Sequence, residues 1–263
     1  MSTLTLAARD SATMLRRNLR HMQRYPSLTL MLIGVPLIFL LMFVYVLGGT
    51  MGAGLGGSSG GRAQYTEYIV PGILLLAVAG AAQGTAISVA TDMTEGIIDR
   101  FRTMSISRAA VLTGHVIGSM IQIMICMAVV LAVAVAIGFR PNASALDWLG
   151  VAGLLTVIAF AFTWLTVALG MSAQSVETAS NSPMPLMLLP FFGSGFVPTD
   201  TMPAGVRWFA EYQPFTPMIE TLRGLLTGTH IGNAAVIAVL WCIAISLVGY
   251  FWSLSSYTRG RAR

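Results

Sequence analysis

The sequence predicts an all-α polytopic membrane protein with six transmembrane helices and with both termini in the cytosol. Hydrophobic residues make up 56% of the 263 residues, and charged residues only 10%. A soluble domain has roughly 25% charged residues, and one bilayer crossing needs about 20 apolar residues. The apolar stretches that predict the spans are Leu28–Gly48, Ile69–Thr91, Ala109–Gly138, Leu149–Met171, Pro183–Val197 and Ala234–Leu254.

The distribution of arginine predicts the orientation of the spans. All 15 basic residues are arginine, and with a cytosolic N-terminus eleven of them fall in inner segments and only four in outer ones. Arginine is retained on the cytosolic side of membrane proteins. The basic pI therefore reflects topology, and nucleic acid is not a predicted partner. The four outer arginines are Arg62, Arg140, Arg207 and Arg223.

The first polar segment predicts an interface helix over residues 10–25. Its apolar residues recur at helical spacing, while Arg16, Arg20 and Arg24 line another face until Tyr25 and Pro26 end the helix. Two interpretations stay open: an anchor on anionic lipid, or an arm that also contacts a cytosolic partner. Because the first apolar run starts only at Leu28, this segment is not predicted to be a cleavable signal peptide. A single membrane domain is predicted over residues 1–263.

The cytosolic segment 92–108 predicts an amphipathic helix. Asp92 and Glu95 are spaced as a helix cap and its third residue, and Asp99 can pair with Arg102. The apolar stripe consists of Ile97, Ile98, Phe101 and Met104. This stripe packs either on the inner ends of the protein's own spans or into a groove of a soluble partner, and the pattern alone favours neither.

The outer segment 198–233 predicts short helices that dip into the outer leaflet. Four prolines divide it, Pro217 favours a helix start and Gly228 a helix end. Glu220 lies three residues before Arg223, on one helical face. The segment is predicted either to cap the spans, with Trp208 and Tyr212 as interfacial aromatics, or to act as an outer gate.

Several chemistries are excluded by what the sequence lacks. Without lysine it can form neither a P-loop nor a Schiff base, so any ATP chemistry is expected on another chain. No metal-binding motif is present, and His21, His115 and His230 are widely separated. The G-x-S-x-G match at Gly56–Gly60 lies in a Gly/Ser-rich loop rather than between a strand and a helix, so a serine hydrolase is not predicted. Cys126 and Cys242 fall inside apolar spans.

Polar uncharged residues inside the spans predict a possible path for a substrate. They either line this path or hydrogen-bond neighbouring helices. Because the spans carry little charge, an ion-coupled secondary carrier is the weaker alternative. The residues predicted for the path are Gln83, Ser88, Gln122, Thr163 and Thr166.

Three motifs resemble the ABC-2 type transporter permeases, in particular the daunorubicin/doxorubicin resistance subfamily of multidrug exporters. They are Glu95–Met104 (EGIIDRFRTM), Pro190–Pro198 (PFFGSGFVP) followed by Met202-Pro203, and Pro214–Pro217 (PFTP) with Arg223-Gly224. They occur in this order, and the resemblance spans the whole chain. Ser105 departs from the pattern, since related sequences usually have proline there.

The resemblance implies a half-transporter with a type V exporter-like transmembrane domain in the bacterial cytoplasmic membrane. It would dimerise with a second permease copy and dock a separate ATP-binding subunit, which holds ATP and Mg. The chain itself would be non-catalytic and bind no cofactor or metal. The expected substrate is a hydrophobic or amphipathic drug-like molecule moved outward; lipid or glycolipid export is the alternative.

The resemblance also implies roles for single residues. Phe101 and Met104 would be the docking knob, Phe192 would join the substrate path, and Phe215 would join Glu220 and Arg223 at the outer gate. The other expected docking residues are Glu95, Gly96, Ile97, Asp99, Arg100, Arg102, Arg16 and Arg20.

Overall fold

The computed structural model describes residues 26–56, 61–96 and 108–259, and every regular element in these ranges is helical. The predicted interface helix 10–25 and residues 97–107 of the predicted cytosolic helix lie outside the described residues. The predicted all-α membrane class is confirmed.

Ten α-helices are numbered here in chain order within the described ranges. Short 3₁₀ turns at Leu189–Phe192 and Thr199–Thr201 and a π-helical turn at Met42–Leu47 accompany them. The helices are α1 (Pro26–Leu41), α2 (Gly48–Gly56), α3 (Arg62–Thr94), α4 (Arg108–Ala136), α5 (Ala145–Ser172), α6 (Val176–Asn181), α7 (Met184–Leu188), α8 (Ala204–Tyr212), α9 (Phe215–Thr227) and α10 (Ala234–Arg259).

Five helical stretches in the described part of the chain are long and apolar enough to cross a membrane. The first combines α1, the π-helical turn and α2 over Thr29–Gly54, and the others lie in α3, α4, α5 and α10. They coincide with five of the six predicted spans. We call the end that carries Thr94 and Ser172 the inner end and the end that carries Arg62 and Ala145 the outer end, following the predicted topology.

The predicted fifth span, Pro183–Val197, does not form one long helix. It consists of α7 and the 3₁₀ turn that ends at Phe192, followed by turns. Pro183, Pro185 and Pro190 supply no amide hydrogen, and proline within a helix also clashes with the preceding turn. This stretch is therefore too interrupted to count among the five candidate spans, and a sixth crossing stays a prediction.

Helix α3 forms the centre of the bundle. Its 33 residues are buried over most of their length, and it packs against α1, α4, α5, α6 and α9. Small residues allow this close approach, because a Cβ atom on Gly170 of α5 would lie only 2.6 Å from the carbonyl oxygen of Ala86 in α3. Helices in lipid associate mainly through such close packing.

Helices α5 and α10 approach each other closely at Gly249. A Cβ atom at this position would lie 2.6 Å from the backbone carbon of Trp164 and 2.6 Å from the amide nitrogen of Leu165. The rings of Trp164 and Tyr250 meet edge to face beside this contact, with centroids 5.1 Å apart. The contact fixes α10 against the rest of the bundle.

The inner end of α3 corrects one prediction. Asp92 does not cap a new helix but lies buried in the last turn of α3, which ends at Thr94. Glu95 follows as the C-cap, and Gly96 has a φ of +68°, a left-handed conformation that favours glycine and ends helices. The spacing of Asp92 and Glu95 was misleading because the preceding apolar helix continues through Asp92.

Replacing Gly249 by alanine is expected to destabilise the bundle. The added methyl group would collide with backbone atoms of α5, and such overpacking costs about 1–3 kcal/mol. Thermal unfolding of the detergent-solubilised protein would measure this as a lower Tm. The matched control is Gly153→Ala in α5, because a Cβ atom there meets nothing within 4 Å. Equal melting temperatures for the two variants would contradict the close contact.

Candidate functional site at the outer end of the bundle

The interrupted segment that follows α7 is held by a stack of aromatic rings. Phe191 and Phe196 lie parallel, with ring centroids 4.5 Å apart and an interplanar angle of 7°. Phe43, from the π-helical turn of the first span, packs on Phe196 at 4.8 Å, and Phe39 meets Phe191 at 5.5 Å. π-Helical turns are rare and occur often at functional sites. The stack thus joins the first span to the interrupted segment.

A glycine contact brings the same segment against α3. A Cβ atom on Gly72 would lie 2.6 Å from the carbonyl oxygen of Gly195, and one on Gly195 would lie 2.8 Å from the carbonyl oxygen of Pro190. Neither position has space for a side chain. Gly72 and Gly195 therefore serve close backbone approach, which glycine alone permits.

Helix α9 enters the bundle instead of lying flat on it. Phe215 at its start packs on Phe162 of α5 with ring centroids 5.1 Å apart, and Phe162 lies roughly 25 Å along α5 from the outer end. At the other end of α9, the carbonyl of Leu226 accepts a hydrogen bond from Asn142 N at 2.9 Å. Gly228, with φ of +72°, ends the helix. Met218, Ile219 and Leu222 on its apolar face are fully buried, and Leu225 is half-buried.

Arg223 connects α9 with α3 and with the interrupted segment. Its Nη2 donates to the carbonyl oxygen of Ser194 at 2.5 Å and to that of Tyr68 at 3.2 Å. Its Nε also donates to Tyr68 O at 3.4 Å, and the guanidinium lies 3.9 Å from the centroid of the Tyr68 ring. One cationic side chain thus satisfies two backbone carbonyls and stacks on an aromatic ring, a combination that lysine cannot reproduce.

Two further polar side chains tie the interrupted segment to the outer helices. Gln213 Nε2 donates to the carbonyl oxygen of Leu189 at 2.9 Å, and the Thr216 hydroxyl donates to Ala210 O at 2.5 Å. The amide of Ser194 donates to the same hydroxyl at 3.4 Å. A Cβ atom on Gly193 would collide with both side chains. These bonds supply the partners that an interrupted helix leaves unsatisfied.

The electrostatics of this region follow from its partial burial. Burial lowers the pKa of the Arg223 guanidinium, although the nearby Tyr68 and Glu220 act in the opposite direction. Glu220 reaches the surface of α9, yet partial desolvation raises the pKa of its carboxyl group, which the charge of Arg223 opposes. The guanidinium is directed at backbone carbonyls, so the two side chains do not form the simple i, i+3 pair that the spacing suggests.

The outward surface of the site is aromatic. Trp208 and Tyr212 of α8 are each 66% exposed, and their ring centroids lie 5.5 Å apart. Phe192, also exposed, meets Phe209 edge to face at 6.5 Å. Tryptophan and tyrosine favour the boundary between lipid and water. Helix α8 thus presents an exposed aromatic surface.

The uncharged residues predicted for the substrate path lie on α3, α4 and α5, and their role in a path stays a prediction. Thr163 and Thr166 are fully buried, and their hydroxyls donate to carbonyl oxygens of α5 itself. Gln83 Nε2 donates to Ser180 O at 2.5 Å, which ties α3 to α6, and Gln122 Nε2 lies 3.5 Å from Thr29 Oγ1. Four of the five uncharged residues therefore make bonds within the protein. Ser88 is half-buried on α3.

Most of the predicted docking residues cannot be placed. Glu95 and Gly96 form the turn after α3. The others, Ile97, Asp99, Arg100, Phe101, Arg102, Met104, Arg16 and Arg20, lie outside the described residues.

Sequence reasoning missed Tyr68, Ser194, Gln213 and Thr216. Arg223 donates its hydrogen bonds to the backbone carbonyls of Tyr68 and Ser194, and residue types carry no signal for a backbone acceptor. Gln213 immediately precedes the motif Pro214–Pro217 and Thr216 lies within it, so this motif was a signal that pointed to the turn. Within the described ranges, no group of three His, Cys, Asp or Glu side chains could hold a metal ion.

An open apolar face lies along the middle of α4. Its residues recur at helical spacing and include two methionines, whose flexible side chains adapt to varied neighbours. The face is lined by Ile117, Met120, Ile121, Met124, Ile125 and Ala128.

Comparison with known proteins identifies relatives over nearly the whole chain. The profile of the ABC-2 type transporter family matches residues 10–227, which include α1 to α9 and therefore the whole outer site.

Two individual relatives have sequence identities below 30% to this chain. The daunorubicin resistance ABC transporter permease protein DrrB1 of Streptomyces coeruleorubidus is 28% identical over 251 residues, which cover 95% of this chain and 85% of the relative. The probable doxorubicin resistance ABC transporter permease protein DrrC of Mycobacterium tuberculosis is 27% identical over 183 residues, or 68% of this chain and 65% of that relative.

Arg223→Lys is expected to loosen the outer site. An ammonium group cannot keep both carbonyl bonds and the stacking on Tyr68, and loss of a hydrogen bond to a charged group costs about 1.5–3 kcal/mol. Thermal unfolding would measure the loss, and hydrogen exchange would locate it at Ser194 and its neighbours. Arg207→Lys is the matched control, because Arg207 makes an exposed pair with Glu211 in α8. Similar exchange rates for both variants would contradict the role of Arg223.

Proposed function

Because the chain belongs to the ABC-2 type transporter family, we propose that it is the permease subunit of an ABC exporter, which moves a hydrophobic or amphipathic small molecule outward. The family match over residues 10–227 carries this proposal. The five apolar helices of membrane-spanning length support it.

The energy for transport would come from a separate ATP-binding subunit. The chain contains no lysine, so it lacks the P-loop residue that contacts the β and γ phosphates. ATP and Mg would bind to the partner subunit. The segment between α3 and α4 would dock this partner, with Phe101 and Met104 inserted into a groove and with Glu95, Arg100 and Arg102 at the rim.

A second copy of the permease would complete the transporter. The apolar substrate would enter between the two copies from the cytosol or the inner leaflet. ATP-driven closure of the partner subunits would then move the two permeases relative to each other, so that the path opens outward.

The outer site would act as the gate of this path. Phe215, Glu220 and Arg223 lie on α9, which contacts α3 and the interrupted segment together, so a shift of α9 would move both. Phe192, which is exposed beside Phe209 of α8, would meet the substrate. The interrupted segment suits movement because turns join its short helical pieces.

The chemical class of the substrate is proposed from two observations. The relatives are named for resistance to daunorubicin and doxorubicin, which are flat, amphipathic compounds. The methionine-containing face of α4 and the exposed aromatic rings offer apolar contacts without fixed polar partners, which suits such compounds.

Phe101→Asp is expected to abolish docking of the ATPase. A carboxylate in place of the aromatic knob would have to be buried without a partner in the groove. The measurement is a pull-down of tagged protein from gently solubilised membranes, with mass spectrometry to identify a co-purified P-loop ATPase. Tyr212→Asp is the matched control, since it makes the same kind of change at an exposed position of α8. Unchanged recovery of the ATPase with Phe101→Asp would overturn the docking assignment.

Inside-out membrane vesicles are expected to accumulate daunorubicin when ATP is added. Phe101→Asp vesicles should lose this uptake, because the permease would no longer engage its ATPase. Drug fluorescence inside the vesicles gives the rate. Uptake that persists after complete ATP depletion, driven by an ion gradient, would instead indicate a secondary carrier.

A further inference from the structure

A buried ionisable pair joins the inner ends of α3 and α4. His115 Nε2 lies 3.0 Å from Asp92 Oδ2, and the two side chains are only 7% and 8% exposed. Ionisable side chains are rare inside membrane proteins and are costly to bury, so such a pair usually has a functional role. The outer site does not involve this pair.

The position of the pair in the chain is as informative as its burial. Asp92 lies two residues before the end of α3, and His115 lies near the start of α4, so the pair joins the two helices that precede and follow residues 97–107. Helix α4 extends about 10 Å beyond His115 to its first residue, Arg108. Residues 108–114 of α4 therefore lie between the segment 97–107 and the bond that joins His115 to Asp92.

The neighbours of the pair connect it to a third helix. Val89 and Val116 belong to a small apolar cluster with Trp164, Val167 and Met171 of α5. In the same region the backbones of α3 and α5 approach each other closely at Gly170. A force on the first turns of α4 would therefore reach α3 and α5 together. This requires that the bond between Asp92 and His115 keeps α3 and α4 from separating.

We propose that Asp92 and His115 are positioning residues that transmit movement of the segment 97–107 to the membrane helices. This proposal rests on the proposed function, in which the segment docks an ATPase. With the pair intact, α3 and α4 move as one body. Without the pair, residues 108–114 of α4 move relative to α3, and the displacement does not reach the outer site.

The experiment follows ATP-driven movement at the outer end without requiring a known substrate. The permease is purified with its ATPase in lipid vesicles, with Cys126 and Cys242 replaced by alanine and Asp200→Cys introduced in the exposed outer turn. The rate of maleimide labelling at position 200 is compared with and without ATP and vanadate. ATP hydrolysis and co-purification of the ATPase are measured on the same samples.

The informative variant is D92A/H115L. It removes both members of the pair, so neither stays buried without the other, and it nearly conserves the total side-chain volume. We expect it to retain the ATPase and to hydrolyse ATP, while the ATP-dependent change in labelling falls roughly fivefold or more, as for loss of a typical coupling between sites. H115Q, which keeps a donor at a similar position, should restore much of the change.

A control variant distinguishes loss of the ATP-dependent movement from a general loss of thermal stability. Val116→Ala removes two methyl groups beside His115 and leaves the pair in place, so it should lower the Tm but preserve the ATP-dependent change. A normal change in D92A/H115L would overturn the proposal, and so would the absence of any change in the parent protein. Failure of the parent protein to bind an ATPase would instead refute the proposed function.

Discussion

The structure depends on how closely its helices approach α3 and one another. In lipid, apolar side chains gain little by leaving one hydrocarbon environment for another, so helices associate through van der Waals contact and a few polar bonds. Gly72 against Gly195, Gly170 against Ala86 and Gly249 against Trp164 are contacts of backbone with backbone. Helix α3 takes part in two of them, and most other elements are placed by reference to it.

The two ends of the bundle are joined in different ways. At the inner end a side chain bonds a side chain, through Asp92 and His115. At the outer end Arg223 bonds main-chain carbonyls, and Gln213 and Thr216 do the same for neighbouring turns. The inner arrangement keeps two continuous helices together, whereas the outer one holds a segment that prolines prevent from becoming a helix.

Hydropathy was sufficient for the long spans, because a run of about 20 apolar residues in a helix has few alternatives in a bilayer. It was insufficient for Pro183–Val197, where composition indicated a span but Pro183, Pro185 and Pro190 interrupt the helix. Periodicity identified α9 and its end at Gly228 but not its depth, which depends on contacts with Phe162 and Tyr68 far away in sequence. Thr163 and Thr166 were predicted either to line a path or to bond neighbouring helices, whereas their hydroxyls donate to carbonyl oxygens of α5 itself.

The bonds of Arg223 have a consequence for how sequences of this fold can diverge. The guanidinium binds the main-chain carbonyl oxygens of Tyr68 and Ser194. Every residue type that keeps the same backbone conformation has this carbonyl oxygen in the same place. A substitution at position 194 that keeps the backbone conformation therefore leaves these bonds intact. An insertion or deletion between Pro190 and Val197 would break them with every side chain unchanged, so these bonds depend on the length of this segment and not on the side chain at position 194.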